Sequence, residues 1–327
     1  MRLRNKRQAL GSFCKVRFLN HKIPLAVRWQ LTNRCVCQCQ YCNIWKTPES
    51  ELSLAQIKAI LDEMAALGTQ TISFSGGEPM LRQDIGRILD ETVRRGISTE
   101  MNSTGAGIAE RMSELKSLHY LKISLDGPEE IHNAVRGPHA FKIAMKAAEA
   151  AAKAGLKFSF ATTLTKFNIQ EIDFILDIAK RFNTMAAFQP LKKLYRGVKD
   201  VSGLEPDPEE YRRVIDQLIA YKKAGDPHLR NSQIGLHHIY HAPQYPRLKC
   251  WAGRVFCILN TDGTLMPCDR IAYSSPLPNC AASGFRNAFL ALPEVHCAGC
   301  GFCGVLELNF LMAFKLGTLD SVYKVLK

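Results

Sequence analysis

"LAVRWQLTNRCVCQCQYCNIW", residues 25–45, joins a strand to a cluster of thiols. Residues 25–32 are apolar and β-prone, and Cys35, Cys37, Cys39 and Cys42 follow directly. Further strand candidates are "TISFSGG" (71–77), "ISTEMNST" (97–104), "YLKISLDG" (120–127), "KFSFATTLT" (157–165) and "MAAFQPLK" (185–192). Helix patterns lie between or after them, at 53–68, 84–95, 107–117, 141–155, 169–182 and about 207–224. Ser53 reads as an N-cap, and Gly68, Gly96 and Gly155 sit where helices end. Strand–helix alternation predicts a parallel sheet with right-handed crossovers. Six units fall short of the eight that close a barrel, so the expected fold is α/β, a partial (β/α)6 TIM-like barrel, curved and open. The expected division is a basic N-terminal arm (1–24), a core barrel (25–230) and a small Cys-rich C-terminal domain with a β-hairpin (231–327).

In such a sheet, chemistry collects at the loops after the strand C-termini, where this cysteine cluster falls. Cys35-x3-Cys39-x2-Cys42 offers three thiolates on one loop. Four thiolates saturate a four-iron cluster, and three leave one iron open. Cys37 lies outside that spacing and reads as a spare small residue, although a zinc site could take it as a fourth ligand.

Apolar content of 46% and charged content of 22% are those of a globular chain. No apolar run reaches the roughly 18 residues of a membrane span, and the N-terminus lacks a signal-peptide pattern. A cytoplasmic protein is expected, whose twelve cysteines ligate metal rather than form disulfides. Net charge is +13, and ten Lys/Arg precede the first acidic residue, Glu49. The basic arm suggests an anionic substrate or peripheral contact with a membrane surface, with nucleic acid not favoured; a solvated tail is the plain alternative.

Several motifs in order resemble those of radical S-adenosylmethionine (AdoMet) enzymes. The loop resembles their CxxxCxφC motif, with Tyr41 at the aromatic position. "SGGEP" (75–79) resembles their GGEP motif, and "MNSTG" (101–105) and "ISLDGPEEIHNAVRG" (123–137) resemble later segments. The resemblance implies a [4Fe–4S] cluster on Cys35, Cys39 and Cys42 that cleaves AdoMet to a 5′-deoxyadenosyl radical. It implies Gly76 and Gly77 for close backbone approach and Glu78 for the AdoMet ammonium. It further implies Asn102 and Thr104 near the ribose, Ser124 and Arg136 at the carboxylate, and Leu164 with the 189–191 backbone at the adenine.

The tail run Cys250-x12-Gly263-x4-Cys268 resembles the start of a SPASM/twitch extension, and "NTDGTL" (260–265) reads as a hairpin. "CAGCGFC" adds Cys297, Cys300 and Cys303. One auxiliary [4Fe–4S] cluster is implied, on Cys250, Cys268, Cys297 and Cys300, with Cys303 as an alternate and Cys257 in another arrangement. A zinc ribbon is the other reading, and Cys14 and Cys280 stand apart. Asp269, directly after Cys268, matches a proposed general base of sulfatase-maturing enzymes and is the candidate proton acceptor. His237, His238 and His241 lie in an expected connector (227–247), and residues 309–327 read as an amphipathic helix. A flavodoxin or ferredoxin is the expected reductant. The expected substrate is a small or lipid-linked anionic metabolite, a sugar or nucleotide derivative foremost, because no separate peptide-binding domain fits before residue 25. Radical modification of a peptide, or a non-catalytic Fe–S redox sensor, are the alternatives.

Overall fold

The computed structural model describes residues 3–47, 50–191, 194–195, 199–297 and 299–315. A helix, α1 (Leu3–Leu19), occupies most of the basic arm, and its Val16 is buried among apolar residues of the C-terminal segment. The side chains of residues 1–10, which carry Arg2, Arg4, Lys6 and Arg7, lie outside the described residues.

The strand that opens the cysteine stretch is β1 (Ala26–Thr32). It is followed by α2 (Leu54–Leu67), β2 (Thr71–Gly76), α3 (Ile85–Arg94), β3 (Ser98–Ser103) and β4 (Tyr120–Ser124). Next come α4 (Glu129–Arg136), α5 (Ala140–Lys153), β5 (Phe158–Leu164), α6 (Ile172–Arg181) and β6 (Met185–Pro190). Ser53 caps α2 reciprocally with Gln56, and Gly68 ends it at φ +91, a left-handed position that favours glycine.

The six strands pair in parallel in sequence order, as expected of a partial barrel. Alternation along each strand sorts the side chains. Val27, Trp29 and Leu31 pack in the core beneath the helices, while Arg28, between them, lines the barrel's interior. Two expectations fail locally. Residues 107–117 give only a 3-10 turn at Met112–Leu115, after Gly105 and Gly107 at positive φ. The segment at 129–136, read as motif only, is α4.

A short ribbon, β7 (Leu194–Tyr195) with β8 (Lys199–Asp200), precedes α7 (Pro208–Lys223). The expected connector then does structural work. Ala186 N–H donates to His228 O at 2.7 Å and Arg230 N–H to Ala186 O at 2.9 Å, so residues 228–230 extend the sheet past β6. The Asn231 side chain both accepts from Phe188 N–H and donates to Phe188 O, each at 2.8 Å, as a strand would. Helix α8 (Gln233–Ile239), capped by Ser232, follows directly.

The expected tail hairpin forms as β9 (Phe256–Leu259) and β10 (Leu265–Met266). Strand β9 also pairs in parallel with β1, making one eight-stranded sheet in the order β10-β9-β1-β2-β3-β4-β5-β6. Two short helices, α9 (Cys280–Ser283) and α10 (Phe285–Leu290), lead to α11 (Cys303–Met312). Of the expected terminal helix, residues 309–312 belong to α11, and residues 316–327 lie outside the described residues. No described helix is long and apolar enough to cross a membrane.

Candidate active site

The cysteine loop leaves β1 at Thr32 and is clamped on two sides. On one side, Gly77 N–H donates to Thr32 O (2.7 Å) and Glu78 N–H to Arg34 O (2.8 Å). A Cβ on Gly76 would stand 2.2 Å from Thr32 O, and one on Gly77 2.1 Å from Arg34 O. Those glycines therefore let the β2 loop lie against the cysteine loop itself. On the other side, Gln38 N–H and Gln40 N–H each donate at 3.0 Å to the last turn of α4, at Arg136 O and Val135 O.

All four loop cysteines are free thiols, with Cys37 and Cys39 buried and Cys35 and Cys42 half-buried. Cys37 is more central than its spacing implied. Its thiol bonds to Cys35 and Cys39, and the Cys35 bond above all pushes its pKa to about 11. The bond to Cys37, then burial, raises Cys39 well above the ordinary thiol range.

Beneath the loop stands a buried ion pair that the sequence did not single out. Arg136 Nε donates to Asp126 Oδ2 at 2.6 Å, and Tyr41 Oη donates to the same oxygen at 3.0 Å. Asp126 Oδ1 accepts from Thr163 N–H, and its own N–H donates to His132 Nδ1. Arg136 also reaches Cys39 Sγ at 3.9 Å and lies over the Tyr41 ring. Burial, then the Arg136 charge, lowers the pKa of His132 to about 4. Arg136 is thus held by Asp126 against the loop. Ser124 is half-buried at the end of β4, and Leu164 is wholly buried in the core.

Glu78 has no exposed surface. Its Oε1 accepts from Met80 N–H and Ser103 Oγ, and its Oε2 from Thr104 N–H (2.7 Å) and Thr104 Oγ1 (2.6 Å). Burial pushes its pKa up against these bonds. The carboxylate therefore ties the β2 loop to the end of β3, with Thr104 as its main partner, and has no accessible oxygen to offer an ammonium. Asn102 donates to Ser73 Oγ at 2.9 Å and lines the interior.

That interior is a cavity of about 460 Å³ whose lining includes Arg28, Asn102, Lys122, Gln189, Arg230 and Glu307. Helix α11 closes one side through Cys303 and Glu307, which reach Phe188 O and Ser232. Asp269, the expected proton acceptor, is 2% exposed and pairs with Arg28 Nη1 at 3.8 Å, so it stands behind the wall of the cavity.

The tail cysteines sort into two places. Cys250, Cys268, Cys297 and Cys300 influence one another electrostatically through Cys300, and Cys303 joins through Cys300 alone. Burial pushes Cys268 to about 12 and Cys300 to about 11. Cys257 is fully buried in β9 beside Cys280, with burial raising both thiols. No group of three or more His, Cys, Asp and Glu is drawn to metal-holding distance among the described residues. Of His237, His238 and His241, His238 stacks on Tyr245 at 5.6 Å and packs edge-on against Phe310.

The donor sets nevertheless suit iron–sulfur ligation. Both are thiols alone, and backbone N–H groups two residues on donate to Cys35 (3.4 Å), Cys268 (3.4 Å) and Cys300 (3.3 Å). Hydrogen bonds to sulfur stabilise thiolate ligands and tune a cluster's potential. Tyr273 Oη further accepts from Cys268 N–H and donates to Cys268 O.

With this geometry in view, comparison with known proteins places the chain. Residues 29–179 match the radical SAM superfamily. The chain is 28% identical over 300 residues to the mycofactocin maturase MftC of Mycolicibacterium smegmatis, covering 86% of this chain and 76% of that protein. It is 26% identical over 269 residues to the AdoMet-dependent heme synthase of Methanosarcina barkeri, covering 75% of this chain and 76% of that protein. Among solved structures, anSMEcpe with bound AdoMet superposes with a TM-score of 0.65 at 15% identity, over 92% of this chain and 99% of that one. The cysteine triad at the mouth of a partial parallel barrel and the GGEP loop locked against it both fall in the matched span: residues 29–179 form a radical SAM domain, and the chain is an enzyme.

Proposed function

We propose that this enzyme takes a hydrogen atom from a peptide at the C-terminal mouth of its barrel. The observation that carries the peptide reading is one of extent. The chain covers 99% of anSMEcpe, which has been solved with AdoMet and a Cp18Cys peptide, so this fold accepts a peptide without a further module. The sequence-based argument for a small metabolite, the absence of such a module, loses its force. The maturase likeness over 86% of this chain supports the same choice. The heme synthase likeness over 75% of the chain and the net charge of +13 favour a second reading, a small anionic substrate.

In this reading residues 25–230 carry the radical chemistry and residues 231–327 a second iron–sulfur site. Cys35, Cys39 and Cys42 hold a [4Fe–4S] cluster, and Cys250, Cys268, Cys297 and Cys300 hold another, with Cys303 facing the cavity instead. When bound, the first cluster supplies the electron that splits AdoMet into methionine and a 5′-deoxyadenosyl radical. The chain's own residues position the parts. Gly76 and Gly77 present backbone beside the cysteine loop, while Glu78 and Thr104 brace that backbone from behind. Asp126 holds Arg136 and Tyr41 under the loop, leaving the outer face of Arg136 and Ser124 for the AdoMet carboxylate. Asn102 stands toward the ribose, and Leu164 backs the adenine side from the core. Asp269 orients Arg28 at the cavity wall, and through it bears on the substrate.

The test is anaerobic reconstitution and reduction with dithionite. Wild type should form 5′-deoxyadenosine; replacing Cys35, Cys39 and Cys42 with Ala should remove about four irons and all of that product. Peptides encoded beside the gene, carrying deuterated residues, should pass label into 5′-deoxyadenosine. Label arriving from a tetrapyrrole and from no peptide would overturn the peptide reading.

A further inference from the structure

The barrel cavity holds three cations, and two of them form ion pairs. Arg28 pairs with Asp269 at 3.8 Å, and Lys122 Nζ with Glu100 at 2.5 Å. Arg230 Nη1 donates to Ser159 Oγ at 3.1 Å, and its guanidinium lies 4.6 Å from the centre of the Tyr120 ring. Both neighbours are neutral, and Arg230 forms no ion pair with a carboxylate among the described residues, although Glu100 and Glu307 act on it from farther off. The remaining acid of the wall, Glu307, gives Oε1 to Ser232 Oγ at 2.6 Å, while its buried Oε2 has no partner. Burial pushes the pKa of Glu307 up, which favours its uncharged form.

Arg230 is not a surface arginine that has folded inward by chance. Its own N–H is bonded to Ala186 O, and the next residue, Asn231, is clamped to both backbone groups of Phe188. The backbone therefore fixes the guanidinium inside the barrel. Arg230 is half-buried at the cavity wall with no carboxylate at ion-pair distance, so its guanidinium has donors to spare for an arriving anion. A guanidinium suits a planar or tetrahedral oxyanion because its N–H groups form a fixed fork. About 460 Å³ is room enough for such a group with the residue that carries it.

We infer that Arg230 forms a subsite at the cavity wall for an anionic group of the substrate, a carboxylate or a phosphate. This rests on the reading that the substrate enters the barrel's interior, and it names what that substrate must carry. A peptide would bring an acidic group; a small metabolite would bring its own carboxylate or phosphate.

The test is calorimetric titration of the cluster-loaded protein with inorganic phosphate and, separately, with acetate, at low ionic strength. Wild type should bind at least one, and the tighter of the two tells phosphate from carboxylate as the natural group. Arg230→Gln should weaken that anion by about tenfold or more, and Arg230→Lys, which keeps the charge but not the fork, by less. Ser159→Ala keeps the cation and frees its anchor, so it should weaken binding by roughly twofold to fivefold. Thermal melting of each variant guards against a folding defect. Equal affinity in wild type and Arg230→Gln, or no binding of either anion to wild type, overturns the subsite. Failure of the radical reading would appear elsewhere, as absence of 5′-deoxyadenosine from wild type.

Discussion

At the scale of single residues, the site is built from buried polar groups that hold the loops, more than from groups that reach outward. Glu78 shows this most plainly, since both its oxygens are engaged by Ser103, Thr104 and the Met80 amide. Replacing it with Gln puts an amide donor where an oxygen accepts, leaving buried donors unmet. Glu78→Gln should cost about 1–3 kcal/mol of stability. It should also lower iron at the Cys35 loop while sparing iron in the tail, as metal analysis of the variant in loop-only and tail-only backgrounds can check. His132 makes a pH prediction with a definite sign. Its ordinary pKa of 6.5 falls to about 4 in the fold. Between those values the unfolded imidazole binds a proton that the native one refuses, so stability falls as pH drops through the window, and this term vanishes above it. The full loss is about 3 kcal/mol. His132→Gln, which still offers an acceptor to Asp126 N–H, should flatten the melting temperature between pH 6.5 and 4; an unchanged slope would assign the acid lability to other groups.

At the scale of elements, the regular parts were legible and the joins were not. Strand periodicity marked β1 to β6 because each alternates core and interior positions, as Val27, Arg28 and Trp29 do. The helix α4 was hidden by its motif, and the Asp126–Arg136 pair with it, because ten residues of sequence do not reveal that both ends meet under the cysteine loop. The role of Glu78 was hidden for another reason: its partners Ser103 and Thr104 lie 25 and 26 residues away, at and just past the end of β3. Residues 228–231 looked like connector because their pairing is made by one bridge and one side chain, without any apolar alternation. Asn231→Ala would strip partners from both Phe188 N–H and Phe188 O. A loss of about 2–4 kcal/mol is expected, read as a shift in urea midpoint with unchanged slope.

At the scale of the whole molecule, the tail and the barrel share one sheet, because β9 lies against β1. The metal-free protein should therefore unfold in one transition. Trp29 sits in the barrel core and Trp251 beside Cys250 in the tail cluster, so single-tryptophan variants retaining one or the other report the two regions. Their urea midpoints should coincide; earlier melting at Trp251 would mean that the tail opens alone. The same pairing bears on how the chain is made. Strand β1 is complete at Thr32, yet its partner β9 ends only at Leu259. At ribosomal speeds of about 5–20 residues per second, one edge of β1 waits roughly 10–50 s for its neighbour. Throughout that interval a row of unpaired backbone groups, flanked by Trp29 and Leu31, is open to any other strand in the cell. Production of this protein is thus a race between elongation and aggregation, and slower translation of residues 33–259 should lower its soluble yield.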